Sequence, residues 1–590
     1  MNLISIDYII QAAASLSLYK SVQEKRSGAL INPSWHIKKW NRVAPIMSLG
    51  KGVLTALQPR SFAAFQGRGV VMEEIHDKLE VFSPATGEKI AEIVPTPLKS
   101  IPHIYKKSRH AFQSWSNLPI KERLHYLKRL RLLMVEKMDE IAEVVSKDTG
   151  KVKIEALVAD IMPTIDAIKH IEKHAVKALS GRKVTTPLML IGKKSYIHYM
   201  PRGTILVISP WNYPLQLSMV PILNALAAGN TVIAKPSEVT PLVGVCIENL
   251  FIEAGFPEGT IQFAHGGKEL GAALTEQKPD YIFFTGSVRT GKVIGEVAAR
   301  HLIPTTLELG GKDPMIVLRD ANLERAVNGA LWGAFTNSGQ VCMSVERVYV
   351  ERPVYKEFLM LLKEKTKSMR QGVQSNDDIG SMTFPAQVDI VAGHLEDALD
   401  KGAVLEAGTP PKEWKMGQTH FIPPTILSNV DHSMKIMKEE TFGPVLPVIP
   451  FDTEEEVIAL ANESEYGLNS SVWTMDREKA SRIASRLVTG AVTINDVLIT
   501  VANHHLPFGG AKQSGVGRYH GEHGLKIFCH EKAIMIDNGK NNTEIQWYPY
   551  EGKYTSFLSL FQNYFSAKPN WIRFGKEYLR LIKLSKGNRK

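Results

Sequence analysis

Four short apolar runs constrain this chain more than any other feature: "TILVIS" (204–209), "TVIAK" (231–235), "TIQFAH" (260–265) and "YIFFT" (281–285). Between them lie "PLQLSMVPILNALAAG" (214–229), "PLVGVCIENLFIEAG" (241–255) and "KELGAALTE" (268–276), long enough for helices and, in the first two, closed by a glycine. Near-continuous β-rich runs separated by helices predict a parallel sheet buried on both faces. A second block of the same kind runs from about residue 306 to 495, with "PMIVL", "RVYV" and "AVTIND" as strands. The expected fold is therefore α/β: a Rossmann-like parallel-sheet domain, a second α/β domain and a small β element.

The chain has 590 residues and a formal charge of +11. That charge sits at the ends. Residues 1–70 hold nine Lys/Arg and two acids, and residues 568–590 hold eight Lys/Arg and one acid, which leaves −3 for the body. A body of that sign does not track a phosphate backbone, so no nucleic-acid partner is expected. Only three cysteines occur, Cys246, Cys342 and Cys529, with no CxxC and no Cys/His cluster at metal-ligand spacing. Neither a disulfide framework nor a metal site is expected, and a reducing compartment is.

The domain reading follows these shifts. Residues 1–80 are a basic extension with an apolar start, a candidate membrane anchor or targeting segment. Residues 81–306 form the nucleotide-binding domain, with a bridging strand near 193–201. Residues 307–495 form the catalytic domain, 496–537 a return loop and oligomerisation strand, and 538–590 a basic, aromatic tail.

Several residues stand where chemistry is done. Strand "YIFFT" runs into "GSVRTGKVIG", a turn with Gly286 and Gly291 that opens a helix, with Ser287 able to cap it. Such a turn offers backbone N–H groups to a pyrophosphate, or is a plain strand-to-helix turn. In "KPSE", Lys235 and Glu238 follow another strand end, where they can meet ribose hydroxyls or form a solvated loop. In "PWNYP", Asn212 is an oxyanion donor or a turn former, next to Trp211. Glu308 in "ELGGK" is a general base or a surface acid. Cys342, after a Ser-Gly-Gln turn, is a nucleophile or a small buried hydrophobe. Thiol, amide donor and carboxylate together suit thiohemiacetal formation on an aldehyde, hydride loss and thioester hydrolysis.

The ordered set "PWNYP", "KPSE", "FTGS", "LELGGK", "FTNSGQVC", "EETFGP" and "PFGGAKQSGVGR" resembles the aldehyde dehydrogenase superfamily over about residues 82–536. The resemblance implies Cys342 as nucleophile, Glu308 as base, and Asn212 with the Cys342 N–H as oxyanion hole. It implies NAD, with NADP as the other option, held by Trp211, Lys235, Glu238, Gly286, Ser287, Gly291, Glu440 and Phe442. Glu238 favours NAD, since a carboxylate repels a 2′-phosphate. It also implies a homodimer or homotetramer, paired through "SYIHYM" and the strand near 526–536.

Finer features resemble fatty-aldehyde members and a membrane-linked fungal and plant branch, so the expected partner is a small-molecule substrate, an aliphatic aldehyde of the long-chain kind. A coenzyme A-acylating enzyme and a catalytically silent membrane scaffold are the alternatives; Glu308 argues against the first and the intact Cys342 and Asn212 against the second. In the tail, Trp571, Phe574, Tyr578 and Leu581 fall on one helical stripe, with Arg573, Lys576, Arg580 and Lys583 opposite. That pattern predicts a helix lying on an anionic membrane surface. The endoplasmic reticulum, facing the cytosol, is the expected site, with the mitochondrion second.

Overall fold

The computed structural model describes residues 78–414 and 420–586. The N-terminal anchor or targeting segment lies outside the described residues, apart from its last three. No helix among the described residues is long and apolar enough to cross a membrane.

A short hairpin, β1 (Leu79–Phe82) and β2 (Lys89–Ile93), opens the structure. A three-stranded sheet follows from β3 (Arg182–Val184), β4 (Lys194–Pro201) and the late strand β18 (Cys529–Ile536), in the order β18-β4-β3. β18 runs antiparallel to β4, which carries "SYIHYM", along eight residues, from Cys529↔Pro201 to Ile536↔Lys194.

The six-stranded sheet holds β5 (Thr204–Ile208), β6 (Thr231–Lys235), β7 (Ile261–Phe263), β8 (Tyr281–Thr285), β9 (Thr305–Glu308) and β17 (Gly515–Val516). Its order is β17-β9-β8-β5-β6-β7, parallel except for β17. β5, β6 and β8 are buried at every position, as apolar runs covered on both faces must be. The strand order reverses between β5 and β8. A crevice opens there beyond the carboxyl ends, the usual ligand position in such sheets.

The seven-stranded sheet holds β10 (Asp313–Val317), β11 (Val345–Glu351), β12 (Val404–Ala407), β13 (Thr425–Ser428), β14 (Val445–Phe451), β15 (Ser471–Trp473) and β16 (Thr493–Ile494), in the order β12-β13-β14-β11-β10-β15-β16. β9 straddles the expected boundary at residue 306, so Glu308 ends the first sheet and Asp313 begins the second. The α/β reading with two sheets and a small β element thus holds.

Six helices matter below: α1 (Met162–Leu179), α2 (Pro214–Ala227), α3 (Val288–Arg300), α4 (Leu323–Phe335), α5 (Lys553–Phe565) and α6 (Trp571–Ser585). α2 is buried at all but one position, between the sheet and α1. The tail helix exists where its stripe predicts, but the stripe faces elsewhere. Phe574 and Leu581 are buried against α5, together with Leu560 and Ile545. The apolar side expected to meet a membrane closes a helical hairpin instead. The outward apolar stripe is on α5: Tyr554, Leu558, Phe561 and Phe565, spaced four, three and four.

Candidate active site

Two cavities meet at one thiol. The first, about 260 Å³, lies at the strand-order reversal. Trp211 and Asn212 line it from the end of β5, Gly286 and Ser287 from β8, Glu308 and Gly310 from β9, with Cys342, Glu440 and Phe442 opposite. The second, about 310 Å³, runs the other way from the same junction. Leu217, Thr285, Glu308, Leu309 and Cys342 line both. Cys342 is half-buried, and Glu308 is 4% exposed.

The turn before the thiol is held in a conformation the backbone does not favour. Asn337, Ser338 and Gly339 have φ of 52°, 56° and 73°. Such positions persist only where neighbours over-determine them. Here the Asn337 N–H donates to Glu155 (2.7 Å), as does the Thr336 hydroxyl (2.9 Å). The Asn337 amide donates to the carbonyls of Asn212 (3.0 Å) and Gln340 (3.2 Å). Gln340 Oε1 accepts from the Thr383 N–H at 2.8 Å. Gly339 approaches the Gly443 carbonyl so closely that a Cβ would collide with it.

Asn212 is held from the other side. Its Nδ2 donates to the Gln340 carbonyl (3.0 Å), and its own carbonyl accepts from Lys151 (2.8 Å). Lys151 in turn pairs with Asp160 at 2.7 Å, both side chains fully buried. Asp160 lies in a single π-helical stretch, Ala156–Ile161, that leads into α1. Such distortions re-aim side chains at functional sites.

Electrostatics raise the pKa of both Cys342 and Glu308. Burial pushes the Cys342 thiol up, and the carboxylates of Glu440, Asp313 and Glu308 add to it, against the pull of its own amide N–H. Burial also holds Glu308 well above the carboxylate range, opposed only by Arg518. Neither Glu308 oxygen has a hydrogen-bond partner. An orphaned buried carboxyl costs folding energy, of order 1–3 kcal/mol.

The wall facing β8 fits a dinucleotide. Ser287 caps α3 by accepting from Thr290 N at 3.3 Å, which leaves the first amides of a helix at the cavity edge. Trp211 and Phe442 meet edge to face, centroids 5.3 Å apart. Glu440, pushed up to about 8 by burial and by Glu346, accepts from the Gly311 N–H at 3.0 Å. Gly310 and Gly311 leave that approach open, since a Cβ on the first would strike the Glu440 carboxylate and one on the second the Cys342 carbonyl.

Eight of the eleven residues singled out from sequence therefore converge: Trp211, Asn212, Gly286, Ser287, Glu308, Cys342, Glu440 and Phe442. Lys235 and Glu238 do not line this cavity. They pair with each other at 2.9 Å beyond β6. Gly291 sits on α3 under Leu309, where a Cβ would clash. Sequence reasoning missed the supports: Glu155, Lys151 and Asp160, and the buried Lys312–Glu346 pair, whose Glu346 accepts from the N–H groups of Thr441 (2.8 Å) and Phe442 (3.1 Å). The acids in the apolar run "IEALVADIM" were the available signal. His505, more than 300 residues further along the chain, joins His170 and His174 in the fold.

The aldehyde dehydrogenase family pattern matches residues 71–534. The chain is 41% identical over 495 residues to 4,4'-diapolycopene aldehyde oxidase of Methylomonas sp, covering 84% of this chain and 92% of that one. It is 36% identical over 466 residues to a putative succinate-semialdehyde dehydrogenase [NADP(+)] of Mycolicibacterium smegmatis, covering 78% and 89%. The NAD+ complex structure of aldehyde dehydrogenase from Bacillus cereus superposes with a TM-score of 0.75 at 35% identity, covering 78% and 93%.

Proposed function

The chain belongs to the aldehyde dehydrogenase family, and we propose that its substrate is a long apolar aldehyde rather than a short anionic one. It is an NAD(P)-dependent oxidoreductase that converts an aldehyde to the carboxylic acid. In our reading Cys342 first gives its proton to water, its thiolate sulfur bonds to the carbonyl carbon as the C=O π pair moves to oxygen, and Asn212 Nδ2 with the Cys342 N–H donates to the resulting oxyanion. Bound NAD(P) supplies the acceptor for the hydride that leaves, so a thioester remains on Cys342. Glu308 takes a proton from water, the water oxygen bonds to the thioester carbon, and the carbon–sulfur bond breaks to release the acid. Trp211 and Phe442 wall the nicotinamide, Glu440 holds its ribose, and Gly286 and Ser287 face the pyrophosphate. Gly291 lets α3 approach, and Lys235 with Glu238 takes the second ribose, favouring NAD.

The observation that carries the substrate reading is the second cavity. Val158, Met162, Trp332, Met343, Ile499 and Phe508 are among its walls, and no lysine or arginine lines it among the described residues. An anionic tail such as that of succinate semialdehyde would sit there without a counter-charge. An apolar chain, of the kind the diapolycopene relative is named for, gains about 0.8 kcal/mol per buried methylene. In a series of linear aldehydes, kcat/KM should therefore rise roughly fourfold per added methylene until the cavity is full. Succinate semialdehyde should be at least about a hundredfold poorer. Equal use of succinate semialdehyde would overturn the reading, and a preference for NADP in the same assay would remove Glu238 from cofactor choice.

Such an aldehyde dissolves in membranes, so an anionic bilayer surface is part of the proposal. The outward stripe of α5 and the Lys/Arg-rich end of the chain support it. The bacterial relatives lend no support to the membrane-linked fungal and plant branch, so the surface is named by its chemistry and not by a compartment. Self-association through the free edge of β18 belongs to the same reading. A monomeric mass in solution would remove it.

A further inference from the structure

His170 and His174 stand one turn apart on α1, so their rings share a face. His505 reaches them from the loop after the tunnel wall. Ring centroids are 4.5 Å apart for His170 and His174, 4.6 Å for His170 and His505, and 5.0 Å for His174 and His505. Each offers one ring nitrogen, and the three nitrogens lie within 4.8 Å of one another. Nε2 of His170 is buried without a hydrogen-bond partner. The cluster opens onto a cavity of about 530 Å³, which Arg518, His520 and Glu522 also line.

We propose that His170, His174 and His505 bind a divalent transition-metal ion of the zinc class, outside the catalytic centre. Imidazole nitrogens suit zinc, copper or nickel and not the hard, oxygen-seeking cations. Tetrahedral zinc, with bonds of about 2.0–2.1 Å, needs ligand atoms roughly 3.3 Å apart. Rotation of the exposed His505 and half-buried His174 closes that gap, while the buried His170 nitrogen serves as the fixed point. The fourth position faces the cavity, where a water or Glu522 completes the set. Glu522 now pairs with Lys526 at 2.9 Å.

The site has a structural consequence. Val501 and Ala502, just before His505, line the substrate cavity, and so do Met162 and Pro163 at the start of α1. His504 already bonds the Pro163 carbonyl at 3.1 Å. An ion on the three imidazoles would tie these two walls together a second time.

The test uses full-length protein carrying Cys342→Ser, which removes the catalytic thiol as a competing ligand. The protein is stripped with a chelator and dialysed against zinc alone. The expected result is one zinc per chain, with affinity falling at least tenfold in His174→Ala and in His505→Ala. Cobalt should give the intense visible bands of a tetrahedral site, lost in the same variants. His505 is exposed, so its variant folds even if His174→Ala does not. Absence of bound zinc in the parent, or unchanged affinity in His505→Ala, would overturn the proposal.

Discussion

At the scale of single residues, Glu308 is the most exposed to test, because its two unbonded oxygens serve no folding purpose. Glu308→Gln should keep a stoichiometric burst of NADH and lose steady turnover, whereas Cys342→Ser should lose both, by on the order of 10³-fold or more. Stopped-flow absorbance separates the two. A Glu308→Gln enzyme without a burst would place the carboxylate before hydride loss. In the proposed cycle Cys342 acts as a thiolate before hydride loss and Glu308 as a base after it, and burial raises both, so kcat/KM should climb with pH as the thiol ionises and kcat as the carboxyl does. The same shift has a stability sign. A carboxyl whose folded pKa is raised contributes stability below the ordinary carboxylate range, and that contribution is lost as pH rises through the folded value. Glu308→Gln should therefore melt higher than the parent at alkaline pH and about equally in mild acid. Which residues meet in the cavity was legible from motifs around Cys342, Glu308 and Asn212. Which residues hold them was not: burial of the charges on Lys151 and Glu155 is decided by elements far away in sequence.

At the scale of elements, the strands were legible because burial on both faces leaves an unbroken apolar run, as in β5, β6 and β8. The tail helix was legible in extent but not in direction. Its stripe states that an apolar face must be covered, and only the fold reveals that α5 covers it. That moves the proposed membrane contact to Tyr554, Leu558, Phe561 and Phe565, exposed at 77%, 45%, 42% and 72%. Flotation with anionic vesicles should accordingly weaken about tenfold when Phe561 and Phe565 are changed to Ser, and much less when Phe574 is changed to Leu. The reverse ranking would return the contact to α6. The histidine site is the opposite case. The i, i+4 pair on α1 is visible in "HIEKH", but its third member arrives from a loop more than 300 residues later.

At the scale of the whole molecule, the two sheets divide the work. The first ends at Glu308 and the second starts at Asp313, and the thiol enters the gap from the second, on a turn locked by contacts to both. Two cavities therefore reach Cys342 from different sides, and in the proposed cycle cofactor and aldehyde each take one. The corridor taken by the aldehyde has one further consequence, for the way out. The molecule enters neutral and leaves as an anion, in a passage lined by apolar side chains and the acids Glu155 and Glu308. Charge appears where no lysine or arginine among the described residues waits to keep it, so the chemistry itself drives the product toward water. The acid should inhibit its own formation weakly, with an inhibition constant at least about tenfold above the KM of the matching aldehyde. Tight inhibition by the acid would mean that a cation reaches the corridor after all.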